Sequence, residues 1–133
     1  MKTKVYLDMD GTIADLYNEP NWLERLRAEE QGLFSSLTPF ITETELLERY
    51  PLDKYDIRIL SMTPKGATEE YCIQVVSDKN IWLDRYFPSI TKRIYLKYGY
   101  NKNLKNSYNA ILIDDNATIR ANYKGVAIAP SWL

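Results

Sequence analysis

Lys4-Val5-Tyr6-Leu7-Asp8-Met9-Asp10-Gly11-Thr12 runs from a short aliphatic segment straight into two carboxylates and a glycine turn. A strand covered on both faces reads as a brief apolar run without alternation, and this one is closed by charge at Asp8. Four similar runs follow, at Asp56–Leu60, Arg93–Leu96, Ala110–Ile113 and Val126–Ala129. Longer amphipathic stretches separate most of them, which is the pattern of βαβ units and predicts a doubly wound α/β fold around a parallel sheet.

Between the second and third strands, Cys72, Val75, Val76, Leu83, Tyr86 and Phe87 recur at helical spacing. Thr68 is the expected N-cap, Pro88 the stop, and Cys72 a core position. From Leu16 to Tyr55 the helix-like pieces Trp22-Leu23-Leu26 and Leu46-Leu47-Tyr50 are broken by Gly32, Pro39 and Pro51. This reads as an insertion after the first strand, over about residues 16–55, acting as a small helical cap or lid. Without repeats, low-complexity tracts or Gly/Ser linkers, residues 1–133 are expected to form a single domain.

Composition removes several kinds of chemistry. The 133 residues contain no histidine, so a Ser-His-Asp or Cys-His nucleophile and a His-based zinc site are excluded. Cys72 has Asp78 six positions later, where a thiol phosphatase needs arginine, and no Gly-x4-Gly-Lys-Ser/Thr loop occurs. A net charge of −1 gives no global attraction to nucleic acid or anionic membrane, so no nucleic acid polymer is expected as partner. The lone Cys72 and the early closure of the first apolar run at Asp8 predict a cytoplasmic protein without signal peptide or membrane span.

The chemistry must therefore run on carboxylates. Asp8 and Asp10, at i and i+2 where a strand enters a turn, can face one spot above the sheet edge, and Gly11 lets the backbone approach an oxyanion. A calcium loop would continue with oxygen ligands, which Ile13-Ala14 do not supply. Asp114-Asp115 follow the apolar Ala110–Ile113, and adjacent aspartates there are costly without a neutralising cation. Asn116 as a helix cap is the plain structural alternative for this pair. Taken with Asp8 and Asp10, the all-oxygen donor set selects Mg2+.

Ser61 ends the Asp56–Leu60 run and is placed to donate to a phosphoryl oxygen, with Thr63 the alternative donor. A cation is needed as well. Lys97, Lys102 and Lys105 lie between the third and fourth strands among Tyr95, Tyr98, Tyr100 and Tyr108.

These four elements, in this order, resemble the haloacid-dehalogenase superfamily of aspartate-nucleophile phosphatases, over essentially the whole chain. The resemblance implies a sheet of order 5-4-1-2-3 with Asp8, Ser61 and Asp115 side by side at its carboxyl edge. Asp8-Met-Asp-Gly11 with Ala14-Asp15, Lys79-x-x-Trp82-Leu83 ending in Tyr86-Phe87-Pro88, and Leu112-Ile-Asp-Asp115 are similar to 5'(3')-deoxyribonucleotidases. The family's first motif often carries Val where Thr12 stands.

By this resemblance Asp8 is the nucleophile, Asp10 the general acid and base, and Lys102 the catalytic lysine, with Lys105 in reserve. Gly11, Thr12, Ser61, Met62 and Lys102 would surround the phosphoryl group. Mg2+ would be held by the Asp8 carboxylate, the Asp10 carbonyl and Asp115, with Asp114 supporting. The implied substrate is a small phosphomonoester, most specifically a deoxynucleoside monophosphate. Phosphatases of sugar phosphates use the same core residues, a phosphotransferase would replace water by an acceptor alcohol, and a non-catalytic binding module is the remaining reading.

Overall fold

The computed structural model describes residues 1–104 and 107–133. Lys105, the reserve lysine, lies outside them. Five strands, β1 (Thr3–Leu7), β2 (Tyr55–Met62), β3 (Arg93–Leu96), β4 (Ala110–Ile113) and β5 (Val126–Ile128), form one parallel sheet of order β3-β2-β1-β4-β5. The expected α/β class and strand order are those observed.

The two faces have separate cores. Val5, Leu7, Ile57, Ile59 and Ile113 pack with Val75, Trp82, Leu83 and Phe87, which belong to or directly follow helix α3 (Glu69–Tyr86). On the other face Tyr6, Leu60 and Leu112 meet Leu96, Leu104 and Tyr123, with Ile119 of helix α4 (Ala117–Asn122). Strands enclosed in this way need no polar face, which is why four of the five read as unbroken apolar runs.

β2 is longer than its apolar run suggests. It extends through Ser61 and Met62, which pair with Tyr95 and Leu96. Ser61 therefore lies within the strand, not after it. The register Leu7↔Ile59 and Leu7↔Ile113 sets Asp8 beside Leu60 and Asp114 and brings Ser61 one step beyond.

Thr68 caps α3 through Tyr71 N, and the helix ends at Phe87 before Pro88. Its buried stripe is Tyr71, Val75, Asp78, Lys79, Trp82 and Leu83. Cys72, expected in the core, is only half-buried because the stripe runs one residue earlier, through Tyr71. Among the described residues no helix is long and apolar enough to cross a membrane.

The insertion carries α1 (Trp22–Arg27) and α2 (Glu43–Arg49), the latter started by a Thr42/Glu45 capping box. Its middle is tied to α3 at three levels. Gly32 N donates to Asp78 Oδ2 at 2.8 Å, the Phe34 ring lies against Lys79, and Trp82 Nε1 donates to Leu37 O at 2.7 Å. α1 buries none of its residues. The segment expected as a lid thus has an anchored half, residues 32–37, and a lightly packed half around α1.

Candidate active site

The turn leaving β1 is built by its own backbone. Thr12, Ile13 and Ala14 all donate their amides to Met9 O, and Gly11 N donates to Ala14 O at 2.8 Å. Gly11 has φ +82°, and a Cβ there would run into Asp115 Oδ2 and lie 2.7 Å from Tyr17 Cε2. Glycine is required both by the backbone and by the close approach. Gly11→Ala is expected to displace Asp115 and weaken any divalent-cation binding at the acidic cluster, read by Mg2+ titration calorimetry; a variant binding as the wild type does would contradict that packing.

Two expectations change here. The amides of Gly11 and Thr12 are engaged inside the turn, so neither is available to a phosphoryl oxygen. Thr12 is fully buried, its hydroxyl 2.9 Å from Asp8 Oδ2 and 3.0 Å from Asp115 Oδ1 while accepting from Asp115 N. It joins two carboxylates instead of lining the cleft. Trp132 Nε1 donates to Thr12 O at 2.7 Å, fixing the turn from the far end of the chain.

Asp8 projects from the end of the central strand. Its Oδ1 accepts from Lys102 Nζ at 2.7 Å, and the same ammonium donates to Asp114 Oδ2 at 2.9 Å and Leu60 O at 3.0 Å. Burial alone would pull Lys102 down, but the attraction of Asp8 and Asp114 outweighs it and holds its pKa above the ordinary value. Asp114 has its other oxygen on Asn116 N, and Asn116 also caps α4 through Ile119 N. The cap and the acidic pair are therefore one arrangement, with Asp114 standing behind the site.

On the other side, Asp10 Oδ2 accepts from Lys79 Nζ at 2.8 Å. Lys79, on α3 and 1% exposed, also donates to Ser61 Oγ at 2.8 Å and Met62 O at 2.9 Å. Burial is the main cause that raises the Asp10 pKa, against the pull of Lys79. Ser61 is buried at the site, whereas Thr63, the alternative, has its hydroxyl 3.5 Å from Leu96 O and its amide on the same carbonyl.

Sequence reasoning assigned Lys79 no role. Its signal was position: it falls four residues after Val75 and three before Trp82, on the buried stripe of a helix, where a lysine needs partners.

Carboxylate oxygens of Asp8, Asp114 and Asp115 lie within 4.8 Å of one another. Four carboxylates, Asp8, Asp10, Asp114 and Asp115, face two ammoniums, Lys79 and Lys102, which leaves two formal negative charges. A divalent cation would match that excess, and all-oxygen donors suit a hard one. Burial, then the neighbouring Asp8, push the Asp115 carboxyl up to about 7.

The stability that protonated Asp115 contributes is full below the ordinary 3.8 and is lost as pH rises through about 7. Without metal, the fold should weaken over that window, and Mg2+ should raise Tm more at pH 8 than at pH 5. Thermal scans with Mg2+ or chelator check this, and a metal shift equal at both pH values would contradict it.

Above the carboxylates opens a cleft of about 320 Å3, within the range of small-ligand sites. Asp8, Asp10, Ser61 and Lys102 line its floor, Met62 and Thr63 one side, and Tyr17, Trp22 and Phe34 of the insertion the cap side. Tyr17 meets Trp22 edge-on at 5.1 Å between ring centroids. Phe40, the fourth aromatic residue of the insertion, is half-buried away from the lining. No family model and no curated protein matches this chain.

Proposed function

We propose that the chain is a Mg2+-dependent phosphomonoester hydrolase of the haloacid-dehalogenase kind, working through an aspartyl-phosphate on Asp8. The observation that carries this reading is the setting of Asp8. Its carboxylate ends the central strand between Lys102 and Thr12, close to Asp114 and Asp115, with Asp10 paired to Lys79 across the cleft floor. The doubly wound sheet and its strand order support the family reading, since open α/β sheets bind ligands at the carboxyl edge.

In the first step an Asp8 oxygen bonds to phosphorus as the ester P–O bond breaks, and Asp10 gives its proton to the departing alkoxide, releasing an alcohol. In the second, Asp10 takes a proton from water, the water oxygen bonds to phosphorus, and the acyl-phosphate P–O bond breaks to return the Asp8 carboxylate. Ser61 donates to a phosphoryl oxygen. Lys102, with its three donors on Asp8, Asp114 and Leu60 O, holds the nucleophile in place. Asp8, Asp115 and the Asp10 carbonyl would hold Mg2+, which neutralises the carboxylates and draws charge from the phosphoryl oxygens. Excess chelator should abolish phosphate release and Mg2+ restore it, with Ca2+ a poor substitute.

The substrate is a nucleoside monophosphate, with deoxyribose in the cap-side half of the cleft. Tyr17, Trp22 and Phe34 supply aromatic surface there, and a base stacked on one ring gains about 1–3 kcal/mol, up to roughly a hundredfold in affinity. A phosphate-release screen over nucleoside monophosphates and sugar phosphates with Mg2+ tests this reading. Deoxynucleoside monophosphates should lead in kcat/KM by about tenfold or more. Sugar phosphates matching them would reassign the substrate and leave Asp8 in its role. Trp22→Ala should raise KM for nucleotides and leave small aryl phosphates nearly unchanged. The single Cys72, with no disulfide to form within the chain, fits a cytoplasmic setting.

A further inference from the structure

We propose that Lys79 is a positioning residue of the phosphoryl-transfer site, holding the Asp10 carboxylate and the Ser61 hydroxyl in one fixed arrangement. This rests on the reading of Asp10 as acid and base given above.

An ammonium has three hydrogens to donate, and those of Lys79 are all engaged, by Asp10 Oδ2, Ser61 Oγ and Met62 O. None is left for a substrate, so Lys79 acts through its partners. Ser61 accepts from Lys79 on its oxygen, which leaves the hydroxyl hydrogen to be donated into the cleft. Asp10 gives Oδ2 to the ammonium. Its Oδ1 is buried and has no partner among the described residues, so it is the Asp10 oxygen that Lys79 leaves unengaged. A carboxylate held by one oxygen cannot rotate freely between its two ends.

A purely structural role is the plain alternative, and the surroundings argue against it. A buried ion pair gains little over well-packed apolar residues, so stability alone does not call for one here. All three acceptors are site atoms, two of them on the last two residues of β2. The ring of Phe34, from the anchored half of the insertion, lies 4.9 Å from Nζ and covers the ammonium from the cap side. Neighbouring Asp78 and Trp82 bind the same insertion segment, so one face of α3 places both the cap and the acid.

The test is a double-mutant cycle on kcat with an alkyl phosphomonoester, in Mg2+, using Lys79→Met and Asp10→Asn singly and together. Lys79→Met alone should lower kcat by roughly a hundredfold with KM changed only a few-fold. Added to Asp10→Asn it should cost well under that hundredfold, because its route through Asp10 has already been removed and only the route through Ser61 is left. With an activated aryl phosphate, Lys79→Met should release aryl alcohol in a burst ahead of phosphate, since the second step still needs Asp10 as base. Losses that multiply fully in the double variant, or a Lys79→Met enzyme with wild-type kcat, overturn the inference. Lys79→Gln, which keeps an amide donor, should give a smaller loss in the same non-additive cycle where the Met variant does not fold. A wild-type protein that hydrolyses no phosphomonoester overturns the phosphatase reading itself. An active wild type with an additive cycle sinks only the role of Lys79.

Discussion

Asp8→Asn is expected to abolish turnover, with kcat down by on the order of 10^4-fold or more, while the fold is retained. The amide keeps the size of the carboxylate but lacks the charged oxygen that must bond to phosphorus. The variant should fold because the substitution lowers the charge excess: Asp8 stands beside Asp115 and Asp114 and, after burial, helps to raise the pKa of both. Thr12 can still donate to the amide oxygen. A circular dichroism spectrum and Tm at or above wild type, together with lost phosphate release, is the expected pair of results. Retention of most activity would remove Asp8 as nucleophile and with it the covalent route.

Lys102→Met should have the largest effect on stability. The ammonium is buried between Asp8 and Asp114 and also satisfies Leu60 O, so its loss leaves two buried carboxylates without their counter-charge. Breaking a buried pair from one side costs about 3–5 kcal/mol. Urea denaturation in chelator reads this directly. Adding Asp114→Asn should recover a substantial part of the loss, since it removes one stranded charge. Were the double variant as unstable as the single, the destabilisation would come from lost packing of the lysine stem and not from charge.

The sheet could be read in advance because four of the five strands appear as short apolar runs, the central β1 and β4 being enclosed on two faces. The exception is instructive. β2 continues past Leu60 because Ser61 and Met62 still pair with β3, yet a serine at that point looks like the end of a run. Asp8 and Asp114-Asp115 were visible for the converse reason: charge placed directly after a buried strand is costly and stands out.

Lys102 could be chosen through the family resemblance and the turn-like Tyr100-Asn101-Lys102-Asn103, because spacing alone does not separate a lysine folded back onto a sheet edge from one in solvent. Lys79 escaped because lysine is ordinarily read as a surface residue, even on an apolar stripe. The roles of Gly11 and Thr12 depend on hydrogen bonds within a tight turn, which residue identity does not specify. Gly11 N closes on Ala14 O and the Thr12 hydroxyl on two carboxylates, and neither pairing has a signature in the linear pattern.

The covalent step itself is tested most directly by trapping it. Asp10→Asn should still accept the phosphoryl group from an activated aryl phosphate, whose leaving group needs no proton, but should lack the base for hydrolysis. Mixed with that substrate in Mg2+ and quenched in acid, the variant should show one equivalent of aryl alcohol released and one phosphoryl group on the protein, mapped by peptide mass spectrometry to Asp8. A phosphoryl group on another residue, or continued release of aryl alcohol and phosphate with no labelled protein, would contradict the account.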